Sequence, residues 1–197
     1  STPSLTVDVA GGNLVLKQLQ PYYNLDLPVW FLDGNSWKKT SIHIDGAEAR
    51  MPLGDMEGKP FIVDPEVWTL MELHYLNSFD PKDVSALYRN APNAASKARI
   101  INEFLPKLPV SWRIGIGHSE QFWGLQQMIA SRAGQEGESY LVELTSAPDR
   151  RVAFTAIQTL GNLTASDDAK TRLKELANSD PNERIREAAM QTLPQAA

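Results

Sequence analysis

The stretch Pro148–Leu160, P-D-R-R-V-A-F-T-A-I-Q-T-L, is said twice by this chain. Thirty-three residues further on comes Pro181–Leu193, P-N-E-R-I-R-E-A-A-M-Q-T-L. Aligned without a gap, Pro148/Pro181, Arg151/Arg184, Ala156/Ala189, Gln158/Gln191, Thr159/Thr192 and Leu160/Leu193 are identical. Val152/Ile185 and Ile157/Met190 stay within the apolar class. A weaker copy lies upstream, with Leu125, Ile129, Ala130, Ala133 and Gly134 over Val152, Ala156, Ile157, Leu160 and Gly161. Self-similarity at about 30–45 residues marks stacked helix pairs, because no single unit can bury its apolar face alone. Val152, Ala156 and Leu160 share one helical face. The small alanine admits a close neighbour, and Arg151 and Arg184 fall in the first turn of their helices.

Ahead of the repeats the period is two. Leu5, Val7 and Val9 alternate with Thr6 and Asp8, and Leu14, Leu16 and Leu19 continue after Gly11-Gly12. Leu27–Leu32 reads as a more buried strand, followed by Trp37–Ile44, Ala49–Leu53, Pro60–Val63 and Thr69–Tyr75. Short strands at a spacing of about ten residues, separated by Gly and Asp turns, argue a small antiparallel, Ig-like β-sandwich. Asp33-Gly34 and Asp45-Gly46 are the strongest hairpin signals. After Asn77 helices are expected over Lys82–Arg89, Ala94–Leu105, Ser119–Ser131 (with Ser119 as N-cap), Ser139–Ser146, Asp149–Leu163, Asp167–Asn178 and Asn182–Leu193. Leu105–His118 is expected to be irregular. The fold class is therefore α+β in sequential halves, a sandwich over residues 1–76 and a helical repeat domain over 77–197.

Charge follows the same division. Residues 1–76 carry 5 Lys/Arg and 10 Asp/Glu, while residues 77–197 carry 14 of each. Neither half concentrates the basic charge that phosphate neutralisation needs, so no nucleic-acid partner is expected. No apolar run approaches the ~20 residues of a membrane span, and no membrane partner is expected. Ser1–Ala10 lacks the basic start and apolar core of a signal peptide. The compartment stays open, and the chain start reads as cut from something longer. With no cysteine, thiol catalysis and disulfides are excluded.

No catalytic, cofactor-binding or metal site is read from the motifs. His43, His74 and His118 stand alone, none with a second His at the spacing of a zinc helix. His43 is expected to face solvent from a strand, His74 to end one, and His118 to have the most polar surroundings, beside Ser119-Glu120. Gly115-Ile116-Gly117-His118 lacks a strand–turn–helix setting. Asp64, Glu66 and Glu72 read as a solvated acidic face. Asn162-Leu163-Thr164 is formally a glycosylation tripeptide at a helix end. Trp30, Trp37, Trp68, Trp112 and Trp123 are expected in the core, Trp123 packing on the preceding helix pair.

The order of the halves resembles the C-terminal part of the M1 family of zinc aminopeptidases. Gly12–Gln20 with Leu27–Leu32 looks like the opening strands of the sandwich that follows that family's catalytic domain. Phe61–Leu73, F-I-V-D-P-E-V-W-T-L-M-E-L, looks like its last hairpin. Phe122–Leu193 resembles the HEAT repeats of bacterial members, although Gln126 replaces a usual Arg and Ser131-Arg132 interrupts the small-residue pattern. The resemblance implies that zinc and the catalytic residues lie in an upstream domain, so this chain would hold no cofactor. It implies a non-catalytic role: the sandwich braces the upstream catalytic domain, and the helices wall the peptide-access cavity, with peptide substrate at the concave repeat face. The alternative is a stand-alone Ig-like plus HEAT protein–protein interaction module.

Overall fold

The computed structural model describes residues 2–193. The chain forms two compact units, Ser1–Phe104 and Leu105–Ala197.

In the first unit seven strands make two sheets: β1 (Ser4–Ala10), β2 (Asn13–Gln18), β3 (Leu25–Asp33), β4 (Ser36–Ile44), β5 (Glu48–Pro52), β6 (Phe61–Val63) and β7 (Glu72–Tyr75). One sheet runs β5-β2-β1-β7 and the other β4-β3-β6. Alternation sets the faces, with Leu5, Val7, Leu14, Leu16, Leu73 and Tyr75 buried and Ser4, Lys17, Glu72 and His74 exposed. In β3 Trp30 and Leu32 are buried together with Leu27, Val29 and Phe31, as its continuous apolar run predicts. The Phe61 and Tyr75 rings, one from each sheet, lie 6.0 Å apart, and the Tyr75 hydroxyl accepts a hydrogen bond from Val63 N–H. The two sheets thus share one core as a sandwich.

Asp33-Gly34 does turn a hairpin, β3 to β4, with Gly34 at φ +63° where a Cβ would be strained. Asp45-Gly46 does not. β4 pairs with β3 and β5 with β2, so this turn carries the chain from one sheet to the other. The D-P connection after β6 likewise crosses between sheets, and β7 joins β1 in parallel register, Leu5 opposite Leu73. A local turn signal reports a reversal of direction; which strand is met afterwards depends on closing the shared core.

Strands give way to helices between Tyr75 and Pro81, where the pattern shift places the boundary at 76/77. The compact units divide later, and α1 (Pro81–Asn90) and α2 (Ala94–Glu103) belong with the sheets. Asp80 caps α1, with Pro81 at its first position. Three interactions bind the two helices to the sandwich. Trp37 Nε1 donates to the Asn90 carbonyl at 2.8 Å. Phe104, just past α2, sits edge-on to Tyr75 at 4.7 Å, and Phe79 joins it to Phe61. The third is the ion pair of Arg99 Nη2 with Asp64 Oδ2 at 2.9 Å, both side chains almost wholly buried. Asp64 also accepts N–H bonds from Trp68 and Thr69, and its carbonyl accepts from Arg99 Nε. The expected acidic face is therefore not one. Asp64 is interior, Glu66 bonds Trp68 Nε1, and Glu72 lies beside His74. The anchored loop takes Asp64 and the β-branched Val67 to positive φ, 47° and 56°, conformations that cost energy in such residues. It holds Trp68 and Leu70 out to solvent, against the expectation that Trp68 is core. Trp112 is also exposed.

The second unit contains α3 (Val110–Ser119), α4 (Trp123–Ser131), α5 (Glu138–Leu144), α6 (Arg150–Leu160), α7 (Asp167–Ser179) and α8 (Glu183–Thr192). α4, α6 and α8 lie side by side, and α5 and α7 pack behind α6 and α8 respectively. Val152, Ala156 and Leu160 are fully buried, as are Leu125, Ile129 and Ala130 of the weaker copy, each worth up to about 1.5–3 kcal/mol for the larger side chains. Met190, in register with Ile157, is half exposed. α6 has a layer neighbour on each side, whereas among the described residues α8 has only α6.

The segment expected to be irregular is largely helix. Pro109 stands at the N-cap of α3, where a missing N–H costs nothing. Gly117 is needed inside α3, because a Cβ there would collide with the Tyr140 hydroxyl. Glycine that signals a break in sequence here signals a close approach. Ser119 ends α3 rather than capping the next helix. Phe122 stands at the N-cap of α4 without a side-chain capping bond, and the Glu120 carboxylate accepts from Gln121 and Phe122 N–H just ahead of it.

Replacing Arg99 with Met strands the Asp64 carboxylate in the interior, and urea denaturation should register a loss of about 3 kcal/mol from the first unit. A loss below about 1 kcal/mol would show that the pair does not secure α2 to the sheets.

Candidate binding groove on the helical repeats

None of the three histidines gains a second imidazole among the described residues, and His43 alone has two carboxylates near it, Asp26 and, at 3.8 Å, Asp45. His43 on β4 is exposed and bonds Asp26 at 2.8 Å, which raises its pKa. His74 on β7 meets Ser4 Oγ at 3.1 Å. His118, near the end of α3, approaches Glu143 of α5 at 3.1 Å rather than Glu120. Among the described residues no group of three or more His, Asp or Glu is placed to hold a metal ion. Among the described residues no helix is long and apolar enough to cross a membrane.

A recess runs along the seam between α6 and α8. It has two lobes with Phe154 common to both. One, of about 320 Å³, is lined by Gln127, Arg150, Arg151, Asn182, Arg184 and Ile185. The other, of about 370 Å³, is lined by Gln158, Asn162, Ala188, Gln191 and Thr192. Helical periodicity explains this division of labour. In α6 the inward stripe is Val152, Ala153, Ala156, Ile157 and Leu160, which leaves Arg151, Phe154 and Gln158 on the outward side. In α8 the stripe Ile185, Ala188 and Ala189 leaves Arg184 and Gln191 outward. Small Ala156 and Ala189 are fully buried on those inward stripes.

The cationic end is built from both helix starts. Arg151 bonds its own N-cap, Nη2 to Asp149 Oδ2 at 2.6 Å, and its guanidinium lies 3.5 Å from the centre of the Trp123 ring. Trp123 therefore packs forward onto the following repeat. Gln127 Nε2 donates to the Arg151 carbonyl and to Thr155 Oγ1, fastening α4 to α6. Arg150 Nη1 lies 3.7 Å from Asp180, whose carboxylate also accepts from Asn182 N–H. Arg184 is exposed and has no ion-pair or hydrogen-bond partner among the described residues. The hydrogen bond from Arg151 holds the Asp149 carboxyl below its ordinary pKa.

A larger recess, about 600 Å³, lies on the outer face of the β2–β1–β7 side of the first unit, near Lys17, Leu19 and His74. Its lining includes Ser4 and His74, bonded to each other, whereas the seam presents equivalent side chains from two repeats. The arginine and glutamine identities of the repeat were legible in sequence. Phe154 was not, since its counterpart is Glu187.

Comparison with known proteins bears on this segment. Residues 124–194 match the family model for HEAT repeats. The helices α4–α8 are HEAT-like repeats. The match covers the seam. No curated protein sequence matches the chain.

Because the folded pKa of Asp149 is depressed, its stabilising contribution is complete above the unfolded value of about 4 and disappears as pH falls through the lower folded value. Asp149→Asn keeps a capping oxygen and should flatten that acid limb in thermal melts. An unchanged acid limb would mean that the Asp149–Arg151 bond is not formed in solution.

Proposed function

We propose that this chain is a non-catalytic recognition element whose α6–α8 seam holds a segment of another polypeptide. The observation that carries this reading is the open seam itself, with the Phe154 ring shared by two lobes and polar side chains from consecutive repeats along its walls. Extended surfaces formed by stacked repeats are the usual binding faces of such folds. An aromatic floor with a polar rim has the anatomy of a protein-contact centre.

In its more specific form the proposal is that the chain serves an M1-like zinc aminopeptidase. The sandwich unit then braces an upstream catalytic domain, the helices wall the cavity through which peptides enter, and the segment in the seam is part of a peptide substrate. The succession of sandwich and HEAT-like helices along the chain supports this form. The residues of this chain would supply enclosure and positioning, which select peptides by shape and keep water from the reacting bond.

The test uses the intact polypeptide in which this chain naturally occurs, with and without Phe154→Asp. The M1-like form predicts bound zinc and cleavage of a small aminoacyl reporter, unchanged by the substitution. Hydrolysis of longer peptides should show a KM raised about tenfold, as expected for loss of about 1.4 kcal/mol of binding. Absence of zinc and of aminopeptidase activity would overturn the M1-like form. Equal effects on the short and long substrates would overturn the assignment of the seam to peptide binding.

A further inference from the structure

The lining of the seam is unlike the unit that carries it. Residues 105–197 contain 10 Lys/Arg and 11 Asp/Glu, a near balance. The two lobes nonetheless include three arginines, Arg150, Arg151 and Arg184, and no carboxylate. Two of those cations are paired with carboxylates, Arg150 with the buried Asp180 and Arg151 with the half-buried Asp149. Arg151 is further fixed by the Trp123 ring. The third, Arg184, stands exposed without a partner among the described residues. It is the repeat equivalent of Arg151, so the two guanidinium groups come from the same turn of neighbouring helices. Seven residues further along each helix Gln158 and Gln191 repeat the arrangement with amides.

Resting on the seam reading above, we propose that the occupant is an acidic, extended peptide segment: its carboxylate is taken by Arg184 beside Arg151 and Arg150, an apolar side chain lies over Phe154, and Gln158 and Gln191 bond its backbone. Each group has the chemistry for its place. Guanidinium grips carboxylate in a two-pronged fork and does not lose its charge. A side-chain amide offers both a donor and an acceptor, the pair that an extended backbone presents in return. The Phe154 face supplies the apolar anchor that sets register. Neighbouring packed helices lie about 8–10 Å apart, and an extended chain advances about 3.3 Å per residue. One turn of contacts from each helix therefore meets residues only two or three apart in the peptide. An Arg-lined seam would discriminate against a basic segment by like-charge repulsion.

The experiment measures fluorescence anisotropy of three short labelled peptides, identical except for a central Glu-Leu-Glu, Gln-Leu-Gln or Lys-Leu-Lys, on the full chain. The Glu peptide should bind at least tenfold more tightly than the Gln peptide, with the advantage shrinking as salt rises. Arg184→Glu should abolish the preference and transfer it to the Lys peptide, while its melting temperature matches that of the parent. Phe154→Asp should weaken all three peptides. Equal binding of the Glu and Gln peptides, both sensitive to Phe154→Asp, would overturn the acidic occupant and leave the seam reading standing. A preference for Glu that ignores both substitutions would place the binding elsewhere and overturn both. Binding of none of the peptides would overturn the acidic occupant.

Discussion

The packing of α6 against its neighbours is the constraint on which the second unit depends. This helix touches α4 and α8 within its own layer and α5 behind it, so its two faces have different tasks. The buried stripe must be apolar and, at Ala153 and Ala156, small. What remains outward is released from packing and available for recognition. Burial of Val152, Ile157 and Leu160 supplies the main stabilisation, and the caps Asp149 and Asn182 fix where α6 and α8 start. Fixing the starts brings Arg151 and Arg184 to the same height, and with them the seam.

The first unit is organised by a different device. A sandwich with one short edge strand, β6, and a parallel addition, β7, is closed by helices that belong to it despite their position in the sequence. The buried Arg99–Asp64 pair does this at a desolvation cost, offset by two backbone N–H groups bonded to the same carboxylate. The same carboxylate shapes the loop that carries Trp68 and Leu70. A charge that looks like part of an acidic surface in sequence is thus the internal link between strand and helix.

Much of the architecture was legible because it is periodic. Every strand and all the helices of the repeat announce themselves by spacing, and the repeat register placed Val152, Ala156 and Leu160 in the interior. What escaped is what periodicity does not encode. The helix α3 hides behind two glycines, one of which is there for Tyr140 to approach. The Asp45-Gly46 turn changes sheet, since partner choice is a property of the whole core. Asp64 is drawn inside, unlike Glu66, by Arg99 and two backbone N–H groups that spacing does not reveal. The seam was half legible: Arg151/Arg184 and Gln158/Gln191 are polar identities that core packing does not require. Phe154, the floor, has no repeat counterpart to flag it.

The central claim is that the outward side of the α6–α8 seam, and not the α5–α7 layer, is the recognition face. Photo-crosslinking tests it directly, with benzoylphenylalanine in place of Gln158 in the seam or of Lys174 on α7, in the native polypeptide within its source cells. The account predicts a discrete adduct from position 158, lost when Phe154→Asp is added, and none from position 174. Adducts from position 174 alone, or from position 158 with no response to Phe154→Asp, would contradict it.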